Sequence, residues 1–179
     1  MDPHIWERQG KKAFQQGDMM TAAQAFARAA AAYQAQGDEV QAAIAQSNQA
    51  VAMLHAGQIE AARSLLEPLP SRFARWGCLR EEALSWGNLA LALERAGRHE
   101  EAREAYRRSL ERLRALGKGL REERAAVHRG LARIYVRQGR WRRALTHMMQ
   151  ALLLAPRTPL ERALRFLLLR LAHPPHTSK

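Results

Sequence analysis

Cysteine is all but missing from this chain of 179 residues. Cys78 stands alone, so no internal disulfide can form, and its neighbours Gly77 and Leu79 give no metal-ligand spacing. A buried, unreactive thiol in a reducing compartment is the expectation. Long apolar runs are missing too, and no stretch approaches the roughly 20 residues that span a bilayer. The opening MDPHIWERQGKK lacks a basic segment followed by an apolar one, which argues against a secretory leader and for a cytoplasmic protein. Lysine supplies only four of the 29 basic residues. That preference for arginine suits bidentate contact with carboxylate or phosphate, and it suits a GC-rich coding sequence equally well. Acidic residues thin out along the chain: residues 1–90 hold 8 Lys+Arg against 9 Asp+Glu, and residues 91–179 hold 21 against 8. Such asymmetry points to an acidic protein surface, nucleic acid or an anionic membrane as partner, and says nothing about fold.

What the chain does have is internal repetition. Gly17, Gly57 and Gly97 are spaced by 40, as are Gly37, Gly77 and Gly117, and Gly139 comes 42 residues after Gly97. An alanine stands five residues after each member of the first set and after Gly139: Ala22, Ala62, Ala102 and Ala144. Four residues later comes a bulky apolar side chain: Phe26, Leu66, Tyr106 and Met148. The segment GRWRRALTHM from Gly139, which taken alone looks like a phosphate-gripping motif, is therefore a fourth copy of GDMMTAAQAF, GQIEAARSLL and GRHEEAREAY. In that frame Trp141 is expected to be buried between helices while Arg142 and Arg143 face solvent. Apolar residues recur at spacings of three and four on both sides of each glycine, so each unit reads as two helices joined by a glycine turn. Pro68 and Pro70 fall where the second helix of the second unit should continue, and a break is expected near Glu67.

The first unit carries Trp6, Gly10, Phe14, Gly17, Ala22, Phe26 and Ala29, and the fourth carries Leu131, Ala132, Tyr135, Gly139, Trp141, Ala144, Ala151 and Pro156. These spacings resemble the tetratricopeptide repeat pattern over residues 4–156. The period of 40 rather than 34 resembles the longer-helix repeats of kinesin light chain. The resemblance implies an all-α fold: a right-handed α-α superhelix, or solenoid, of four helix pairs at about 3–37, 38–77, 78–117 and 118–157. A helix over 158–173 would cap a single domain spanning 1–173, with a flexible tail over 174–179. Leu160, Leu164, Leu167, Leu168 and Leu171 form the stripe suited to capping, which a solenoid end requires. Phe166 and Leu169 lie off that stripe and suggest a self-association edge, opposed by Arg162, Arg165 and Arg170.

The same resemblance implies a concave groove lined by the first helix of each unit. Counting back nine residues from the turn glycine gives Asn48 and Asn88, whose amides would hydrogen-bond an extended peptide or else tie one helix to the next. Arg8 and Gly130 replace them in the outer units. Lys11, Ser47, Val51, His55, Leu91, Arg95, Arg129, Arg133 and Arg137 would be groove neighbours. The spacing of four between the last three makes a basic row on one helix face, suited to an acidic ligand or to plain solvation. The lysine and asparagine order that clamps a C-terminal carboxylate in related repeats is not met.

The seven histidines pair with no Asp, Glu or Cys at ligand spacing, and no phosphate loop is present, so no catalytic residue, metal or cofactor is expected. Met148 and Met149 are expected to be packing residues. The leading expectation is a non-enzymatic adaptor or scaffold that binds an acidic peptide or helix. The alternatives are a nucleic-acid-binding repeat protein with Arg140, Arg142 and Arg143 on phosphates, and a homodimer formed through the final helix. Against nucleic acid stands the expectation that Trp141 is committed to packing.

Overall fold

The computed structural model of the chain describes residues 2–117 and 119–172, with side chains described as far as Phe166. Among these residues all regular structure is helical. The helices are α1 (Pro3–Gln15), α2 (Met19–Ala35), α3 (Glu39–His55), α4 (Ile59–Leu66), α5 (Leu69–Arg75), α6 (Leu79–Arg95), α7 (His99–Ala115), α8 (Arg121–Arg137), α9 (Trp141–Leu154) and α10 (Pro159–Ala172). They fall into two compact units, Met1–Leu116 and Gly117–Lys179.

Glycine makes the turns the period announced. Gly17, Gly37, Gly57, Gly77, Gly97, Gly117 and Gly139 all have φ between +66° and +84°, the left-handed region that penalises any side chain with a Cβ. Asp2, Asp18 and Asp38 start α1, α2 and α3 by accepting hydrogen bonds from the backbone N–H groups of His4, Thr21 and Gln41.

In the first unit, α1 packs on α2, α2 on α3 and α6 on α7. Small residues set the spacing. Phe26 is buried among Ala13, Ala22, Ala23 and Ala52, with Phe14 and Met53 at the edge, and Tyr33 among Ala29, Ala30, Ala42 and Ala45, with Trp6 alongside. Gly10 belongs to this arrangement, because a Cβ there would lie 2.8 Å from Cε1 of Phe26. The expected break at Glu67 is present: α4 ends at Leu66, the chain turns over Glu67 and Pro68, and α5 restarts at Leu69 with Leu69 and Phe73 buried. Two carboxylates also enter the interior. Glu82 accepts from Arg112 Nε at 2.8 Å, and Glu94 accepts from the Tyr106 hydroxyl at 2.9 Å.

The second unit departs from expectation. Its α8 and α9 pack along their length, burying Val127, Leu131, Ile134, Tyr135, Ala144 and Ala151. Trp141, however, is 65% exposed and Met148 54%, so neither is the buried residue that the repeat frame predicted. Met149 is exposed as well. The reason lies in the helix that comes after each copy. Phe26 is covered by α3 through Ala52, whereas α9 has only α10 after it, which touches it sparingly. Of the leucine stripe expected to cap the fourth unit, Leu160 and Leu164 are exposed. The side chains of Leu167, Leu168, Leu169 and Leu171 lie outside the described residues.

Candidate functional site

Three helices of the first unit bring the expected groove residues into view. Lys11, Phe14 and Gln15 of α1, Phe26 of α2 and Asn48 and Val51 of α3 line an open depression of about 250 Å³. Lys11 stands exposed on that rim, 4.0 Å from Glu7. The Asn48 amide is half-buried and makes no hydrogen bond among the described residues, so its donor and acceptor are both available.

Asn88 behaves differently. Its Nδ2 donates to Ser47 Oγ at 3.1 Å, joining α6 to α3, so the helix-tying reading describes it. Arg95 is also engaged, since its guanidinium donates to the backbone carbonyl of Leu54 in the last turn of α3. That carbonyl also accepts from the Gly57 N–H of the turn at 3.2 Å, so the arginine adds a second donor from α6 at the end of α3. Next to it, His55 meets Phe14 edge-on with ring centroids 5.4 Å apart.

Burial first, and then the charge of Arg95, hold the His55 imidazole below its ordinary value of 6.5. The unfolded chain therefore takes up a proton more readily than the folded one as pH falls. The contribution to stability is intact above about pH 6.5 and is lost as pH drops through the depressed folded value. His55→Gln is expected to remove a small decline in melting temperature between pH 7 and 5. Superimposable pH profiles for the two proteins would show that His55 is not its source.

In the second unit the row on α8 is not uniform. Arg129 is half-buried and donates to the backbone carbonyl of Ala155 just after α9. Burial, and after it the charge of Arg157, lowers its guanidinium from the ordinary value. Arg133 and Arg137 are exposed. On the proposed self-association edge, Phe166 is exposed, and the Leu169 side chain lies outside the described residues.

Two features were not foreseen. His128 of α8 and His147 of α9 face each other with their Nδ1 atoms 2.8 Å apart, and Tyr135 stacks on His147 at 5.4 Å between centroids. Their separation of 19 residues fits no motif, so only the packing of α8 on α9 reveals the pair. The exposure of Trp141 also removes the argument that it is unavailable to a ligand. Cys78, expected to be buried, is half-buried at the N-cap of α6. Among the described residues no group of three or more His, Cys, Asp or Glu could hold a metal ion, and no helix is long and apolar enough to cross a membrane.

Two family models, both described as tetratricopeptide repeat, match the chain, one over residues 7–70 and the other over residues 81–156. The interval between the two matches begins directly after Pro70 and holds most of α5. A search of curated proteins returned no match.

Proposed function

Because the chain belongs to the tetratricopeptide repeat family, whose units generally mediate protein–protein contacts and are typically non-enzymatic, we propose that it is an adaptor holding an acidic peptide or helical segment in its first unit. The observation that carries this reading is the depression between α1 and α3, where the unpartnered Asn48 amide lies beside Val51, Phe14 and the cationic Lys11. An amide that both donates and accepts suits the backbone of an extended segment, the apolar floor takes a side chain, and Lys11 meets a carboxylate. Arg133 and Arg137 give the second unit its own contacts for acidic side chains. Asn88, Arg95 and Arg129 are assigned to holding helices together. The 40-residue period supports a grouping with the longer-helix repeats that resemble kinesin light chain, and the near-absence of cysteine supports a cytoplasmic location.

Selection of a displayed random-peptide library on the full chain tests the proposal. Enriched sequences should carry an excess of Asp and Glu, and a selected peptide should bind Asn48→Ala about tenfold more weakly than wild type, as expected for a central interface residue. Asn48→Ala should leave the melting temperature unchanged. Asn88→Ala should instead lower stability by about 1 kcal/mol, the usual worth of one internal hydrogen bond, with little effect on binding. Enrichment without acidic bias, or binding indifferent to Asn48, would reject the groove.

A further inference from the structure

The second unit carries an apolar stripe that the proposed groove does not use. Trp141, Leu145 and Met148 recur along α9 at intervals of four and three and are 65%, 58% and 54% exposed, and Leu160 and Leu164 on α10 are exposed too. At the head of the stripe an open depression of about 620 Å³ is lined, among the described residues, by Gly139, Arg140, Trp141, Arg142 and Arg143. Large apolar side chains gathered in this way mark an interaction surface more often than chance exposure.

We propose that this face of α9 docks an amphipathic helix of a partner protein, one with small apolar side chains bordered by Asp or Glu. Repeat register supplies the shape. Met148 stands nine residues after Gly139, as Phe26 stands nine after Gly17, and Phe26 is covered by a helix, α3, through Ala52 with Met53 at the edge. The α9 stripe offers the same face of the same repeat position without that cover. Met148 and Met149 add side chains that adjust to an incoming surface.

Charge supplies the chemistry. Residues 117–179 hold 14 Lys+Arg against 3 Asp+Glu, a net +11, while residues 1–116 hold 15 against 14, a net +1. In α7 most of the arginines have partners: Arg103 and Arg108 pair with Glu100 and Glu104, Arg112 with Glu82, and Arg98 at its N-cap with Glu101. Arg137, Arg140 and Arg142 have no carboxylate at ion-pair distance among the described residues, so a ligand's carboxylates would complete them.

Other occupants fit less well. A second copy would bring two units of +11 together. Residues 173–179, HPPHTSK, hold neither an acidic nor a large apolar residue. A nucleic acid strand would stack on Trp141 and use the arginines, but would leave aliphatic Leu145 and Met148 facing water. A lipid surface would suit the arginines and leaves the depression beside Trp141 unexplained.

The probe is a dye-labelled peptide with the sequence of residues 39–55 of this chain, the repeat's own covering helix, in which Gln41, Gln46 and Gln49 are replaced by glutamate. A second peptide carries lysine at the same three positions. Fluorescence anisotropy with the full chain should show the glutamate peptide binding at least about tenfold tighter than the lysine peptide. Trp141→Ala/Met148→Ala should weaken it by about tenfold or more with an unchanged circular-dichroism melt. Asn48→Ala should leave it unaffected, which separates this face from the groove. Equal binding of the two peptides, no binding, or affinity indifferent to the double substitution overturns the proposal. So does a single-stranded oligo(dT), a phosphatidylglycerol vesicle or self-association in sedimentation, if any of these depends on Trp141 and Met148 while the glutamate peptide fails to bind.

Discussion

Phe26→Ala is expected to lower stability by about 3–5 kcal/mol, the range for a truncated buried aromatic, whereas Met148→Ala at the same repeat position is expected to cost less than about 1 kcal/mol. Phe26 is 4% exposed, and its ring fills the space among Ala13, Ala22, Ala23 and Ala52. None of those alanines can lengthen to close the cavity left by its removal, so the lost transfer energy and the lost contacts add. Gly10 makes the site tighter still, since the ring passes where a Cβ at that position would stand. Met148 already keeps half its surface in water, so truncation removes little burial. Urea denaturation of the two variants measures the contrast. Similar losses for both would mean that α9 is covered in solution by something of this same chain.

That contrast explains what could be read from the sequence and what could not. The glycine period and the apolar residues around it reveal the helix pairs and their turns, because both are set by residues within one unit. The break at Glu67 is legible for the same reason, as Pro68 and Pro70 act on their own helix. Burial of the Phe26 position is a different matter. It depends on whether another helix arrives, and the pattern GRWRRALTHM is the same whether or not one does. Periodicity shows which face of α9 is apolar and is silent on its cover.

The candidate site was readable to a similar depth. Asn48 and Asn88 share a repeat position, yet Asn88 meets a serine hydroxyl 41 residues away and Asn48 meets none. The side chain that a neighbouring helix presents decides between tie and binding group. Arg95 and Arg129 were legible as basic residues of the first helices but not as partners of backbone carbonyls, because the carbonyls belong to Leu54 and Ala155, outside their own helices.

Phe73→Ala is expected to cost a further about 3–5 kcal/mol, for a reason particular to the second repeat. Once Pro68 has stopped the helix, the seven residues of α5 are too few to hold a helix by backbone hydrogen bonds alone. Their order comes from three fully buried residues, Leu69, Pro70 and Phe73, and from contacts made at the far end of the segment. There Trp76 meets Phe73 edge-on at 5.8 Å, and the Arg72 guanidinium lies 5.0 Å from the Trp76 ring. Arg72 Nη1 also donates to Gln46 Oε1 at 3.0 Å on α3, and its Nη2 pairs with Glu39 at 3.3 Å. Removing the Phe73 ring takes away the anchor on which those weaker, partly exposed contacts depend, so they should be lost with it rather than compensate. Ser71→Ala is the control: that residue is exposed and bonds only to the Pro68 carbonyl within its own turn, so a change within about 0.5 kcal/mol is expected. Thermal and urea melts of the two variants decide the matter. If Phe73→Ala unfolds no earlier than Ser71→Ala, the segment after the prolines is not held by its buried ring, and the assignment of α5 as a packed half-helix of the second repeat fails.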